Sequence, residues 1–82
     1  MGFIRVNVRL YGTLSSYVHG YDHEKGVDVV IGEGTTIADL ISVLSLPVNV
    51  ARLFFVKGLS QKLTYQLNDQ DEISIFLPMA GG

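Results

Sequence analysis

Apolar and polar residues alternate at the start of the chain, with Ile4, Val6, Val8 and Leu10 set against Arg5, Asn7, Arg9 and Tyr11. A period of two is that of a strand with one face on a core, and it predicts a first strand over residues 3–11. Gly12 ends it. In the polar and aromatic stretch 13–26, the spacing of Leu14, Tyr17 and Val18 permits one short helical turn. Alternation returns at Val27, Val29 and Ile31, and Gly32-Glu33-Gly34 closes this second strand with a turn.

The period then changes. Ile37, Leu40, Ile41 and Leu44 fall at i, i+3, i+4 and i+7, a helix with one apolar stripe for a sheet to cover. Thr36 and Asp39 have the spacing of a capping box, with the carboxylate also suited to the positive end of the helix dipole. Pro47 is expected to stop the helix. Residues 52–57 read as a third strand, Gly58 as a turn, and residues 63–67 as a short, poorly patterned strand or bridge. Asn68-Asp69-Gln70-Asp71 supplies a polar turn before a last strand carrying Ile73, Ile75 and Leu77.

Strand, strand, helix, strand, short strand, strand is an α+β order in which one main helix covers one side of a mixed sheet of four to five strands. The first and last strands then pair in parallel at the centre, as in a ubiquitin-like β-grasp. We divide the chain into a β-grasp domain at 1–78 and a flexible Gly-Gly tail at 79–82. Pro78 has no N–H for a sheet ladder, so the last strand lets go there. Gly81 and Gly82 lack side chains and can thread a slot that a Cβ would block, which presents the terminal carboxylate as a deliverable group.

Composition narrows the function classes. The chain has 82 residues, 48% of them hydrophobic and 17% charged, which is the balance of a single folded domain. Its net charge is −2 and its six Lys and Arg are scattered, so nucleic acid is not an expected partner. No charged-then-apolar leader precedes the first strand, and no apolar run approaches the ~20 residues that span a bilayer. The expected location is cytoplasmic, with no membrane partner. Met1-Gly2 fits a myristoylation start, but Val6 stands where that signal needs Ser or Thr. With no cysteine, disulfides, thiolate metal sites and a Cys nucleophile are excluded together.

Other constellations read as structure. His19 and His23 are four apart, but Gly20 and Tyr21-Asp22 break the helix a ligand pair would need. Asp69, Asp71 and Glu72 lack the remaining ligands of a calcium loop, and Ser15, Ser16 and His19 lack an orienting group. No metal site is expected. The informative residues are aromatics that alternation sends away from the core. With Ile73, Ile75 and Leu77 inward, Phe76 points out; with Leu53 and Phe55 inward, Phe54 points out; Tyr11 is opposite in parity to Leu10. Tyr11, Phe54 and Phe76, with Pro78 and Met79 at the start of the tail, are the candidate partner-binding residues.

Four stretches carry a resemblance over nearly the whole chain: Val8-Arg9-Leu10-Tyr11-Gly12-Thr13-Leu14, Gly34-Thr35-Thr36-Ile37-Ala38-Asp39-Leu40, Phe55-Val56-Lys57-Gly58, and Ile73-Ser74-Ile75-Phe76-Leu77-Pro78-Met79-Ala80-Gly81-Gly82. In these the chain resembles the sulfur-carrier family that includes the small subunit of molybdopterin synthase (MoaD) and the thiamine-pathway carrier (ThiS). Segment 10–14 is closer to the molybdopterin branch. Gln70 stands where the family has a turn glycine, Leu77 where it has a second proline, and the family's Arg near Ser15 is missing.

The resemblance implies a carrier, not an enzyme, that binds no cofactor of its own. An E1-like adenylating enzyme using ATP and Mg would activate the Gly82 carboxylate, and a sulfur donor would convert it to a thiocarboxylate. Gly81 would serve the threading of the tail. The acceptor would be the large subunit of molybdopterin synthase or an equivalent sulfur-acceptor enzyme. A carrier for thiazole or cysteine synthesis, a modifier conjugated to lysine through Gly82, and a plain interaction module remain open.

Overall fold

A computed structural model describes residues 2–47 and 53–76. The alternation at the start of the chain becomes β1 (Phe3–Leu10), in which Ile4, Val6, Val8 and Leu10 are buried. A 3-10 helix, Gly12–Tyr17, comes next and sinks Leu14 into the core. Then come β2 (Val27–Gly32), α1 (Ile37–Val43), β3 (Leu53–Val56), β4 (Leu59–Gln61) and β5 (Glu72–Phe76). The sheet order is β2-β1-β5-β3-β4, with β1 and β5 parallel at the centre and the other pairings antiparallel. This is the ubiquitin-like β-grasp, α+β architecture that the order of periods implies.

The start of α1 shows why segment 63–67 has no strand pattern. Three N–H groups of the first helical turn have no partner within the helix. Ile37 donates to the Tyr65 carbonyl (3.0 Å) and Ala38 to the Leu63 carbonyl (3.1 Å), while Asp39 donates to Thr36 Oγ1 (3.2 Å). Asp39 Oδ2 accepts in turn from the Thr36 N–H (3.2 Å), completing the capping box. The segment contributes carbonyls to a helix end, and its only sheet-like pairing among the described residues is the bridge Thr36–Gln66. Thr36→Ala is expected to cost about 1 kcal/mol, read as a melting temperature lower by roughly 4–8 °C; an unchanged melting temperature would remove the cap from the account.

Pro47 does not stop the helix. The chain turns at Ser45, whose φ of 58° is left-handed. Ser45 donates to the Ser42 carbonyl (3.0 Å) and Leu46 to the Ile41 carbonyl (3.0 Å), the paired bonds of a Schellman ending, and Leu46 is buried. A serine occupies the position glycine usually takes. Gln70 behaves likewise: its φ is 71°, the conformation for which the family's glycine is suited.

The turn before β5 is built on two carboxylates. Asp71, 2% exposed, accepts from the Asn68 N–H (2.8 Å) and the Tyr65 hydroxyl (3.5 Å) and sits 3.7 Å from Lys57 Nζ. Asp69, at the surface, accepts from the Arg5 N–H (2.8 Å) and the Gln70 amide (3.4 Å). The Arg5 bond, helped by the Gln70 bond, holds its pKa below the usual 3.8. A carboxylate whose folded pKa is depressed stabilises the fold above its unfolded value and loses that contribution as pH falls through the folded one. Asp69→Asn is therefore expected to melt below the parent at neutral pH and to converge on it beneath pH 3.8; a difference that persists in acid would assign the effect to something other than ionisation.

β3 corrects the sequence reading. Phe54 and Val56 are buried at 4% and 3%, whereas Leu53 is 44% exposed and Phe55 half-buried on the opposite face. The cause is register: β3 pairs Phe54 with Ile75 and Val56 with Ile73, and residues directly opposite share a face. Because Ile73 and Ile75 are in the core, so are their partners. β4 is likewise new. It is joined to β3 through Lys57-Gly58, both at positive φ (53° and 83°), the conformation of a two-residue hairpin turn.

Candidate partner-docking surface

The helix covers one face of the sheet, and the opposite face is arranged in rows set by the strand register. The row at the C-terminal end of β5 runs Tyr11, Phe76, Leu53; the next runs Arg9, Ser74, Phe55. Tyr11 lies flat on Phe76, with ring centroids 4.3 Å apart and planes 11° from parallel. Phe55 meets the same ring edge-on at 5.6 Å and 88°. Four side chains, from β3, β5 and the residue that follows β1, thus meet at the last described residue of β5, with Arg9 in the flanking row.

Of the partner-binding candidates, Tyr11 (41% exposed) and the half-buried Phe76 lie in this patch. Phe54 does not; it is a core residue, and Phe55 and Leu53 hold the place expected for it. The signal that could have found them is the pairing of β3 with β5, since apolar residues at 53–56 have no alternation of their own. Pro78, Met79, Gly81 and Gly82 lie outside the described residues.

The remaining constellations are accounted for by local structure. Tyr21 accepts the Leu10 N–H at 2.8 Å and stacks edge-on with His23 at 5.0 Å, so this histidine packs on a ring within the 12–26 connection. Ser15 and Ser16 hydroxyls donate to the carbonyls of Gly12 (3.2 Å) and Thr13 (2.7 Å) within the 3-10 helix. Among the described residues no three His, Asp or Glu come together as a metal site, and no helix is long and apolar enough to cross a membrane.

The sheet order, single covering helix and apolar patch at the end of β5 are those of a small ubiquitin-like protein. Solved structures share the fold. Small archaeal modifier protein 1 of Haloferax volcanii superposes with a TM-score of 0.71 at 15% identity, covering 93% of this chain and 99% of that one. The HVO 2177 protein of Haloferax volcanii gives 0.76 at 18%, covering 99% and 89%. The ubiquitin of Caldiarchaeum subterraneum gives 0.61 at 17%, covering 99% and 100%. A search of curated proteins by sequence finds no match. The profile of the ThiS family matches residues 8–82, and the chain belongs to that family. Its members are small ubiquitin-fold carriers, generally not enzymes, that work with E1-like activating enzymes and acceptor enzymes.

Proposed function

We propose that this protein is a sulfur carrier whose Gly82 carboxylate is adenylated and converted to a thiocarboxylate, and that the sulfur goes to molybdopterin synthesis. One observation carries the carrier reading: the ThiS-family match runs through Gly81 and Gly82. An α-carboxylate has a pKa of ~3.5 and is ionised at neutral pH. Its oxygen attacks the α-phosphate of ATP held with Mg by the partner enzyme and expels pyrophosphate. Sulfide-level sulfur (HS− or its equivalent) from a donor then attacks the acyl carbon and AMP departs with the C–O bonding pair, leaving a thiocarboxylate in place of a carboxylate. The chain supplies the acyl group and no thiol, so nothing in it competes for the activated carbon. The molybdopterin branch is favoured by the segment 10–14, and the large subunit of its synthase is then the acceptor. These steps belong to the cytoplasm.

The names of two structural neighbours favour a second reading, in which Gly82 is joined to a lysine of another protein. Intact mass separates the two. After incubation with an E1-like adenylating enzyme, Mg-ATP and a sulfur donor, a carrier gains the difference between sulfur and oxygen, and a modifier gives a lysine-linked adduct. Formation of neither product would overturn both readings.

In this reading the E1-like enzyme and the acceptor dock on Tyr11, Phe76, Phe55 and Leu53, and also engage Pro78 and Met79. Phe76→Ala is expected to weaken partner binding by about 2 kcal/mol, as loss of a central aromatic anchor does. It also removes two ring contacts, so a stability loss of roughly 1–2 kcal/mol accompanies it. Titration calorimetry against the partner on folded samples checks the first figure; unchanged affinity would move the docking surface elsewhere.

A further inference from the structure

β2 is one edge of the sheet, and the ladder it forms with β1 shows which of its backbone groups face outward. Glu33 donates to the Gly2 carbonyl at 3.0 Å, which makes Gly2–Glu33 a hydrogen-bonded pair of this antiparallel ladder. Bonded pairs alternate with non-bonded ones, so Ile4–Ile31, Val6–Val29 and Val8–Val27 are bonded, and Phe3–Gly32, Arg5–Val30 and Asn7–Asp28 are not. The other side of β1 fixes the same phase, since Asn7 donates to the Asp71 carbonyl and Arg5 accepts from the Gln70 N–H. The backbone groups of Asp28, Val30 and Gly32 therefore point away from the sheet. The Gly32 carbonyl accepts from the Thr35 N–H (3.2 Å) and hydroxyl (2.6 Å), while Asp28 and Val30 have no outward backbone partner among the described residues. Such an edge is a template for another strand, and chains guard it with a short strand, lysine, proline or a bulge. The opposite edge, β4, is guarded: it has three residues and is followed by Lys62. β2 has six residues and none of these devices, and Val30 on its outer face is 61% exposed.

We infer that β2 is an interface for a second copy of this chain, the two β2 strands pairing antiparallel about a two-fold axis at Val30. Self-complementarity selects both the occupant and the register. With Val30 opposite Val30 of the copy, Asp28 falls opposite Gly32, so each outward-facing residue meets another and no like charges are opposed. On the helix side, Val29 meets Ile31, apolar on apolar. A register centred on Asp28 would instead oppose two carboxylates and leave Gly32 beyond the end of the paired strand. The Tyr11–Phe76 patch stays open in such a dimer, because its row lies beyond Val8–Val27, where the β1–β2 pairing ends. A single added strand buries little surface, so the association is weak and transient. This pairing is independent of the carrier reading.

Sedimentation and amide spectra of the full chain over a concentration series provide the test. The parent is expected to be monomeric at ~10 µM and to dimerise with a Kd of roughly 0.1–1 mM, as a small interface does. Over that range the amide signals of Asp28, Val30 and Gly32 should shift while those of Leu59–Gln61 on the other edge stay in place. Val30→Lys and Val30→Glu each set like charges opposite one another and are expected to weaken dimerisation at least ~5-fold. Mixing the two should restore it, since in this register residue 30 faces residue 30. Leu59→Lys, at a residue 66% exposed on β4, should dimerise like the parent. Circular dichroism melts establish that the variants are folded; if either Val30 variant is not, the amide shifts of the parent decide. A parent that remains monomeric at ~1 mM overturns the inference and leaves the edge to a strand of another protein. Shifts that map to β4, or a Lys/Glu mixture that stays monomeric, overturn it as well.

Discussion

Deleting Gly82 is expected to abolish adenylation and thiocarboxylate formation while leaving the melting temperature unchanged. Chemistry at the α-phosphate requires the carboxylate oxygen within ~3.5 Å and in line. A chain one residue shorter withdraws that oxygen by up to ~3.5 Å, the full length of the approach. Among the described residues the buried core runs from Ile4 to Ile75, well short of position 82, and the fold is expected not to register the deletion. Gly81→Ala isolates the second requirement, because it preserves reach and adds a methyl that narrows the backbone range and widens the chain. Activity is expected to fall sharply there too. Pyrophosphate exchange on matched, folded samples measures both, and full activity in the deletion variant would sink the carrier reading.

Gly26→Ala is expected to destabilise the fold by about 3 kcal/mol, from positive-φ strain and a backbone clash together. Gly26 sits at φ +70°, and an added Cβ would lie 2.6 Å from the Val8 carbonyl oxygen, with Asn7 Oδ1 at 3.1 Å and Arg9 Cγ at 3.2 Å. The first obstacle is backbone in the central strand, which cannot rotate aside as a side chain can. Gly34→Ala is the matched control: its φ is +88°, but nothing lies within 4 Å of the added carbon. It should cost only the strain, about 1 kcal/mol. Urea melts of the pair measure the difference, and equal losses would show that the Val8 contact carries no weight.

The contrast between these two glycines shows where reading the chain alone stops. Gly34 belongs to a turn legible as such and Gly26 closes the polar stretch 13–26, and nothing near Gly26 in sequence indicates that Val8, eighteen residues earlier, lies against it. Much else was local and therefore legible. Period two at Ile4–Leu10, period 3.6 at Ile37–Ile41 and the Thr36–Asp39 cap each concern residues within a few positions of one another, and the structure forms them as read. The parallel pairing of first and last strands came from element order.

The face of the docking surface did not. Leu53-Phe54-Phe55-Val56 is apolar at every position, so alternation leaves its phase undetermined, and a shift by one residue exchanges core for surface. Only pairing with Ile73 and Ile75 makes Phe54 core and turns Phe55 toward Phe76. The same holds for residues 63–67, whose carbonyls serve the amides of Ile37 and Ala38 across more than twenty positions of chain. The sequence by itself determined β1, β2, α1, β3 and β5, their order and the family, because each is written in short-range periods and motifs. Tertiary structure decided which aromatics meet at the end of β5, because strand register is a contact between distant residues and no local pattern encodes its phase.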